Sequence, residues 1–275
     1  MKMSQGERTS SVKTINSLGR GLEVLREIGL ATAITFSELL ERTTLPNASL
    51  ARILKTLVET GWIKRDAATG RYTLDVTAAA SEQTMAHVRT LSEQAADART
   101  VLQRRIPWPT DLGVRDGVSM LSLDGPYTGS SLSANFKSLG SRPSMLRSSL
   151  GRCYLSFCSA EERHKILSAL AHSRSEADRA GLNPDALGRM IKETRQRGYA
   201  TRNASHTSAD SPERFGALAV PVLVRDQAFA CLCVVWLPAV IDESEIVKTC
   251  LPHLQSAARS IEIKLETNRV DTLGI

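Results

Sequence analysis

The 275-residue sequence lacks the features of a secreted or membrane-spanning protein. Its five cysteines are odd in number and have no regular spacing, which argues against a secreted scaffold of paired disulfides. No apolar run approaches the ~20 residues that cross a bilayer. Residues 1–12 are polar and contain no apolar segment typical of a signal peptide. We therefore expect a cytoplasmic protein that has no membrane partner.

The sequence also lacks the short motifs of the common enzyme classes. It contains no G-x-S-x-G nucleophile turn, no H-E-x-x-H zinc motif and no glycine-rich phosphate loop. Cys153 or Cys158 could pair with His164 or His206 as nucleophile and base, but neither thiol has an activating motif beside it. No His and Cys residues stand at the spacing of a zinc site. We expect no catalytic activity, no metal and no cofactor, and an enzyme is the alternative class.

The positive charge of the chain is modest and evenly spread. The formal net charge is +6 and the isoelectric point is near 9.2, which suits a polyanionic partner such as DNA. Residues 1–75 carry 11 Lys and Arg against 8 Asp and Glu, a net of +3 and so half of the total. DNA affinity would therefore depend on where the cations stand and on two domains binding together. With 42% hydrophobic residues the chain is long enough for two cored domains.

Residues 35–74 have the pattern of a helix, a tight turn, a second helix and a two-stranded wing. Thr35 and Glu38 have the spacing of a capping box that begins the first helix. Pro46 ends that helix, because proline disfavours helical geometry in the residue before it. The next helix is predicted to begin at or near Asn47.

The second helix of the pair has two different faces. Its apolar residues fall at the spacing of one continuous helical stripe: Leu50, Ile53, Leu54, Leu57 and Val58. The opposite face carries small, hydroxyl and cationic residues: Ser49, Ala51, Arg52, Lys55 and Thr56. Such a face can enter the major groove, where it offers donors to base edges and cations to phosphates. The pattern predicts a recognition helix, and a helical hairpin with a solvated basic face is the alternative.

Elements on either side complete a domain that ends near Asp75. Two strand-like runs, 62–65 and 72–74, flank a loop in which Gly70 suits a positive φ. Before the helix pair, apolar residues alternate at spacings of three and four and predict a helix with one buried seam: Ile15, Leu18, Leu22, Leu25 and Ile28. Residues 1–75 are therefore assigned to a winged helix-turn-helix domain.

Residues 77–105 contain no glycine or proline and predict one long helix. Its apolar residues follow a heptad seam: Val88, Leu91, Ala95, Ala98 and Leu102. The seam packs either on the helix's own domain or, in a linker between two domains, against a partner subunit. The prolines of 107–109 end the helix, so residues 76–106 are assigned to a linker helix.

Residues 107–275 have the pattern of a mixed α/β domain. Asp116-Gly117 stands between two short apolar runs and predicts a hairpin. The runs 217–224 and 229–236 predict a second hairpin that is buried on both faces. Helices are predicted over 149–157, 160–170, 184–197 and from Asp242 onward. The predicted fold class is α+β, with one antiparallel sheet covered by helices.

The segment 142–152 combines small residues with the start of a predicted helix. Open backbone N–H groups and the helix dipole form a natural anion site at such a start. Arg142 or Arg147 would add charge to it. The alternative is that Ser148 or Ser149 serves only as the helix cap. The residues alone leave both interpretations open.

Several spaced motifs resemble the IclR family of bacterial transcription regulators. They are I-N-S-L-G-R-G-L-E-V-L (15–25), L-P-N-A-S-L-A-R-I-L (45–54), L-V-E-T-G-W-I (57–63) and G-R-Y-T-L (70–74). The resemblance covers about residues 12–265. It implies a winged helix-turn-helix domain, a linker helix and a C-terminal effector-binding and oligomerisation domain (107–275) that resembles the GAF fold. The implied partners are double-stranded operator DNA, a small carboxylic acid effector and further copies of the chain.

The resemblance assigns candidate site residues in both domains. The DNA-binding set is Ser17, Arg20, Thr35, Asn47, Ser49, Ala51, Arg52, Lys55, Thr56 and Arg71. The effector-binding set is Arg142, Met145, Ser148, Ser149, Leu150, Gly151, Asp210, Ala217, Val234 and Trp236. Some relatives have serines where this chain has Val234 and Trp236, so the predicted pocket is more apolar and favours a larger, flatter acid.

A closer resemblance concerns residues 105–112, 142–145 and 150–158. These segments are similar to the branch of activators that control the degradation of hydroxyphenylpropionate-type aromatic acids. That similarity implies an activator that senses an aromatic acid and contacts RNA polymerase. The alternatives are a repressor of the same family that responds to a small aliphatic acid, and a GAF-like sensor that does not bind DNA.

Overall fold

The computed structural model describes residues 15–31, 33–67, 69–75, 82–123, 141–173, 176, 179, 181–202 and 215–268. The chain divides after Asp75 into two compact units, residues 1–75 and residues 76–275. Among the described helices, none combines the length and the apolar character that crossing a membrane requires.

The first unit consists of three helices and a small wing. Its elements are α1 (Asn16–Ala31), α2 (Phe36–Arg42), α3 (Asn47–Glu59), β1 (Ile63–Arg65) and β2 (Tyr72–Leu74). The two strands pair antiparallel, with Ile63 opposite Leu74. The core takes apolar residues from every one of these elements: Val24, Ile28, Ile34, Leu39, Leu50, Leu54, Leu57, Ile63 and Tyr72. The predicted order of helix, turn, helix and wing is confirmed.

The α2 helix begins with the capping box that the sequence predicts. The Thr35 hydroxyl accepts a hydrogen bond from the Glu38 backbone N–H at 3.3 Å, and the Glu38 carboxylate accepts one from the Thr35 backbone N–H at 2.7 Å. The hydrogen bonds that the carboxylate accepts from the Thr35 backbone N–H and from the Thr35 hydroxyl lower the pKa of Glu38. Two backbone groups that the helix leaves unpaired are thereby satisfied, so the start of α2 is fixed locally.

The predicted apolar seam of α1 is wrong in its first half. Ile15, Leu18 and Leu22 are 66%, 58% and 57% exposed, whereas Val24 and Ile28 are fully buried. The buried pair belongs to the core that α3 and β2 share. A domain this short covers only part of α1, so contact with its neighbours, and not apolar spacing, decides which residues of α1 are buried.

The second unit is built on one antiparallel sheet. Within the described residues its helices are α4 (Glu82–Arg105), α5 (Ser149–Phe157), α6 (Ala160–Ala171), α7 (Pro184–Arg197), α8 (Glu243–Thr249) and α9 (Leu251–Thr267). Its strands are β3 (Thr110–Asp116), β4 (Ser119–Ser122), β5 (Ala200–Thr201), β6 (Gly216–Val224) and β7 (Gln227–Trp236). They lie in the order β4-β3-β7-β6-β5, and every neighbouring pair is antiparallel. The predicted α+β class is therefore confirmed.

Both predicted hairpins are present. β3 and β4 are joined through Gly117, which has a φ of 62°. β6 and β7 are joined through Arg225 and Asp226, which have φ values of 51° and 62°. Positive φ at both central residues is the geometry of a type I′ turn, whose twist matches that of the flanking strands.

The two faces of the sheet carry separate apolar clusters. Side chains of β7 alternate between them, because successive residues of a strand point to opposite faces. One set lies in the cluster that α4 and α9 cover: Leu232, Val234 and Trp236. The other lies in the cluster that α5 and α6 cover: Cys231, Cys233 and Val235. The strand is thus buried on both faces, as predicted.

The α4 helix packs its apolar seam within the second unit. All five predicted seam residues lie in the cluster shared with α9, and none is more than 9% exposed: Val88, Leu91, Ala95, Ala98 and Leu102. On the outer side of the same helix, Lys264 Nζ of α9 lies 2.7 Å from Asp97 Oδ2. The seam is therefore part of the unit's own core, which was the first of the two alternatives.

Replacing Leu91 by Asp should unfold or strongly destabilise the second unit. The side chain is fully buried, and an unpaired carboxylate in its place would cost about 3–5 kcal/mol. Urea titration followed by circular dichroism measures the change. Val101→Asp is the matched control, because Val101 lies on the same helix and is 50% exposed. Equal stability of the two variants would contradict the packing described for α4.

Candidate functional site

The outward face of α3 presents the polar residues that the sequence assigns to DNA. The helix buries its three leucines in the core and exposes Arg52, Lys55 and Thr56. Among the residues that the structure describes, Arg52 has no acidic partner, so its guanidinium is available to a phosphate or a base edge. The Lys55 side chain is 76% exposed and lies 3.6 Å from Glu59, and such a surface pair holds a lysine weakly.

The beginning of α3 agrees with the sequence prediction, whereas its end differs. Asn47 is the first helical residue, and Pro46 stands at the N-cap without a side-chain hydrogen bond. Asn47 and Ala51 are exposed, and Ser49 is half-buried. Val58, which the sequence places on the buried stripe, is 40% exposed. The stripe leaves the core there because the last turn of α3 extends past its neighbours.

A groove of about 690 Å³ lies between α1 and α3. Five predicted DNA-binding residues line it: Ser17, Arg20, Ser49, Arg52 and Thr56. Its other walls are largely apolar: Leu18, Leu22, Leu25, Ile53, Leu57 and Trp62. The fold therefore joins the first turn of α1 to the middle of α3 on one concave surface. The predicted DNA-binding set did not include these apolar residues. Leu18 and Leu22 could have indicated them, because they belong to the part of the predicted α1 seam that is not buried.

Thr35 and Arg71 have structural partners inside the first unit. Arg71 Nη1 donates a hydrogen bond to the Ala33 carbonyl at 3.1 Å and lies 3.5 Å from Glu38 Oε2. Thr35 is bonded to the same carboxylate in the capping box. These two predicted DNA-binding residues thus tie the wing to the start of α2.

The wing carries further cations at its base. The Lys64 side chain is 67% exposed and its Nζ lies 3.1 Å from Asp75 Oδ2. The Arg65 guanidinium lies over the Tyr72 ring, 5.7 Å from the ring centroid. Packing on a ring orients the guanidinium without neutralising its charge. Arg65 was not in the predicted DNA-binding set, although the basic pair before the loop is visible in the sequence.

The start of α5 is the candidate anion site of the second unit. The Ser148 hydroxyl accepts a hydrogen bond from the Gly151 backbone N–H at 3.0 Å and donates one to the Ser144 carbonyl at 2.7 Å. Ser148 is therefore the helix cap. Within the described part of the chain, the backbone N–H groups of Ser149 and Leu150 have no protein acceptor. These groups and the helix dipole can still attract an anion.

Gly151 lets the preceding turn lie directly against α5. A Cβ at this position would lie 2.5 Å from both the Cα and the carbonyl oxygen of Met145, and 2.6 Å from the Ser144 carbonyl oxygen. Met145, Ser149 and Leu150 are at most 3% exposed. The structure thus brings the predicted residues of this segment together at the edge of the apolar cluster under α5.

Arg142 does not supply its charge to the start of α5, which corrects the sequence prediction. Its guanidinium is paired with the carboxylate of Asp116, at the end of β3. The other oxygen of that carboxylate accepts a hydrogen bond from the Thr84 hydroxyl of α4 at 3.0 Å. Asp116 stands far from Arg142 in sequence, so local spacing gives no sign of this pair.

Val234 and Trp236 do not face the start of α5, and the prediction that they line an effector pocket there is wrong. Both lie on the face that α4 and α9 cover. A Cβ on Gly216 would lie 2.3 Å from Trp236 Cε2, so the indole packs over that glycine of β6. The strand residues on the α5 side include Ala217, Cys231, Cys233 and Val235. Asp210 lies outside the described residues.

A polar network holds α5 against α6 and β3. The Tyr154 hydroxyl donates a hydrogen bond to Glu162 Oε1 at 2.7 Å, and Arg115 Nε lies 2.7 Å from the same oxygen. Burial, and then the neighbouring Glu162 carboxylate, raise the pKa of Tyr154. The phenol therefore stays protonated and keeps donating. The network links α5 to α6 and β3 with a charge-assisted contact.

The thiols that the sequence allows as nucleophiles are buried. Cys153 is fully buried and Cys158 is 2% exposed. Burial raises the pKa of Cys158 to about 11, whereas a nucleophilic thiol needs a lowered pKa. His206 lies outside the described residues. No group of three or more His, Cys, Asp or Glu residues in the described ranges is arranged to hold a metal ion.

Comparison with known proteins matches both units to one family. Residues 17–67 match the family model described as IclR helix-turn-helix domain, and residues 83–263 match the model described as Bacterial transcriptional regulator IclR C-terminal. The HTH-type transcriptional regulator BhcR of Paracoccus denitrificans (strain Pd 1222) is 25% identical over 193 residues. That match covers 70% of this chain and 68% of BhcR.

Two solved structures share the fold. IclR of Thermotoga maritima superposes with a TM-score of 0.55 at 18% identity, over 92% of this chain and 99% of that chain. An IclR homolog from Microbacterium hydrocarbonoxydans, complexed with 4-hydroxybenzoate, superposes with a TM-score of 0.53 at 23% identity. The superposition covers 91% of this chain and 99% of the homolog. At such identities the likeness shows the fold alone.

Replacing Gly151 by Ala should destabilise the second unit by about 1–3 kcal/mol, because the added methyl group overlaps backbone atoms that cannot turn away. Gly188→Ala on α7 is the matched control, since nothing lies within 4 Å of the added methyl group. That change should stabilise the helix by about 0.5–1 kcal/mol. Urea titrations of both variants give the two values. A Gly151→Ala variant as stable as Gly188→Ala would rule out the close approach.

Proposed function

The chain belongs to the IclR family of bacterial transcriptional regulators, and from that premise we propose that it is an activator that senses a small aromatic carboxylic acid. It is a DNA-binding regulator with a ligand-binding C-terminal domain, and it is not an enzyme. IclR regulators bind operator DNA and small-molecule effectors and are generally oligomeric.

We infer that α3 is the recognition helix. The observation that carries this proposal is the exposed cationic and hydroxyl face around Arg52, opposite the three buried leucines. A helix enters the major groove with such a face, because short polar side chains reach base edges and cations reach phosphates. Ser17 and Arg20 line the same groove as Ser49 and Arg52. They are therefore placed to contact the flanking DNA backbone.

We further propose that two DNA-binding units act together on a two-fold symmetric operator. The first 75 residues have a net charge of only +3, so one unit makes few phosphate contacts and binds weakly at physiological salt. Pairing two units doubles those contacts and fixes the half-site spacing. An operator-bound activator acts on the chromosome in the cytoplasm and contacts RNA polymerase there.

The proposed effector site lies between α5 and the sheet. The backbone N–H groups of Ser149 and Leu150 would receive the carboxylate. The body of the acid would lie against the apolar residues of this side, among them Met145, Cys233 and Val235. Largely apolar walls favour an aromatic body over a two- or three-carbon acid. The 4-hydroxybenzoate bound to the Microbacterium homolog is of this chemical class.

The sign of regulation rests on sequence similarity. Residues 105–112, 142–145 and 150–158 are similar to the activators of aromatic-acid degradation. We therefore expect the regulator to raise transcription of its target when the acid is present. A promoter fusion in cells with and without 4-hydroxybenzoate tests the sign, and a repressor would show high expression in the strain from which its gene is deleted.

Arg52→Ala should abolish specific operator binding while the fold stays intact. Losing one base or phosphate contact costs about 1–3 kcal/mol per bound helix, and an oligomer loses it more than once. The operator is first selected from genomic fragments with the wild-type protein, and gel-shift titrations then compare the variants. Arg26→Ala is the control, because the Arg26 side chain is 71% exposed on α1 and does not line the groove. If Arg52→Ala binds the operator with wild-type affinity, α3 is not part of the DNA interface.

Val235→Thr should weaken binding of an aromatic acid several-fold, because a hydroxyl then interrupts an apolar wall of the proposed site. Val234→Thr makes the same chemical change one residue away on the other face of β7 and should leave the affinity unchanged. Calorimetry with 4-hydroxybenzoate, 3-phenylpropionate and pyruvate gives the affinities. Tightest binding of pyruvate, or equal effects of the two variants, would overturn the aromatic site.

A further inference from the structure

We propose that Asp116 is a positioning residue, whose carboxylate couples residues 142–152, the effector-binding segment, to the first turn of α4. The inference rests on the proposed function, because it concerns how occupation of the α5 start reaches the DNA-binding unit. Asp116 stands at the end of β3, outside the proposed effector site. One carboxylate oxygen is bonded to the effector-binding segment and the other to α4.

The bridge is built around a largely buried carboxylate. Asp116 Oδ2 accepts an ion-paired hydrogen bond from Arg142 Nη1, and Asp116 Oδ1 accepts a hydrogen bond from the Thr84 hydroxyl at 3.0 Å. The Asp116 side chain is 10% exposed and Thr84 is 5% exposed. Solvent screens the contact with Thr84 poorly, whereas the Arg142 side chain is 39% exposed, so the ion pair is partly screened. If Arg142 or Thr84 moves, the carboxylate moves with it, and the hydrogen bond to the other residue changes.

On the Arg142 side, the bridge continues through backbone hydrogen bonds to the start of α5. Residues 141–144 run along β4, where the Met120 N–H donates to the Pro143 carbonyl at 3.0 Å and Ser144 pairs with Ser119. The Ser144 carbonyl then accepts hydrogen bonds from the backbone N–H and the hydroxyl of Ser148, at 3.1 and 2.7 Å. These hydrogen bonds connect the segment that carries Arg142 to the helix cap. An acid bound beside Ser148 would thus act on the same short segment.

On the Thr84 side, the bridge ends in the part of α4 nearest in sequence to the DNA-binding unit. Thr84 lies one turn before Val88, and Val88 and Leu91 anchor the next turns in the core. The helix continues unbroken to Arg105. A rigid helix transmits a change at its first turn to the chain that precedes it, because its hydrogen-bonded backbone does not bend locally. The bridge is thus a contiguous path from the start of α5, through Asp116, to the first turn of α4.

The competing explanation is that Asp116 only stabilises the fold. A measurement of coupling between the two segments distinguishes the two explanations. Hydrogen exchange reports the opening of individual segments in the native protein. Ser148→Ala removes the α5 cap and should speed exchange at residues 144–152 by about fivefold, the equivalent of a lost cap. If Asp116 couples the segments, the same change should also speed exchange at residues 86–90 of α4.

The experiment measures that transmission in the full-length protein, without any ligand. Ser148→Ala is introduced into the wild type, into Asp116→Asn and into Asp97→Asn. Asp97→Asn is the matched control, because it weakens another ion pair of α4, with Lys264, that does not touch the effector-binding segment. We expect exchange at 86–90 to respond to Ser148→Ala in the wild type and in Asp97→Asn, and not in Asp116→Asn. Thr84→Val, which keeps the ion pair and removes only the hydroxyl, serves in place of Asp116→Asn if that variant does not fold.

Two outcomes overturn the proposal. One is that Ser148→Ala leaves exchange at 86–90 unchanged in the wild type. The other is that Asp116→Asn, or Thr84→Val in its place, transmits the change as well as Asp97→Asn does. Operator binding of the wild type is measured in parallel by gel shift. A wild type that binds no operator refutes the proposed function, while the exchange data still decide whether the bridge couples α5 to α4.

Discussion

The alternation of side chains along β7, from Ala230 to Trp236, is the constraint on which the second unit depends. The strand lies between β3 and β6, and nine of its ten residues are buried. Because successive residues point to opposite faces, one strand supplies both apolar clusters. The sheet therefore holds α4 and α9 on one side and α5 and α6 on the other. A shift of one residue in register would exchange the two sets and move every contact of the strand.

This two-sided sheet places the proposed effector site and the long helix α4 on opposite faces. A signal between them has to pass the sheet, either through its core or around its edge. The edge formed by β3, β4 and residues 141–144 offers a hydrogen-bonded route, because Asp116 is bonded to Arg142 and to Thr84. Tyr154, Glu162 and Arg115 fix the other end of α5. The helix is thus firmly held at its far end, and its start remains the place where a ligand can act.

The first unit differs from the second, because its core is too small to bury all of its apolar residues. α3 buries three leucines and is left with a polar outer face. α1 buries Val24 and Ile28 and leaves Leu18 and Leu22 in the groove beside that face. The candidate DNA surface and this exposed apolar wall are consequences of the same short core. Their proximity means that a substitution in the groove must be tested for fold as well as for DNA binding.

The sequence by itself determined the features that depend on neighbouring residues, namely the capping box at Thr35, both hairpins and the buried stripe of α3 up to Leu57. Each follows from hydrogen bonds or spacing within a few residues, so the signal is local. The spaced motifs likewise identified the family. Only the tertiary structure decided which half of α1 is buried, which face of β7 carries Trp236 and which acid pairs with Arg142. These outcomes depend on strand register and on partners distant in the chain, and local spacing carries no information about either.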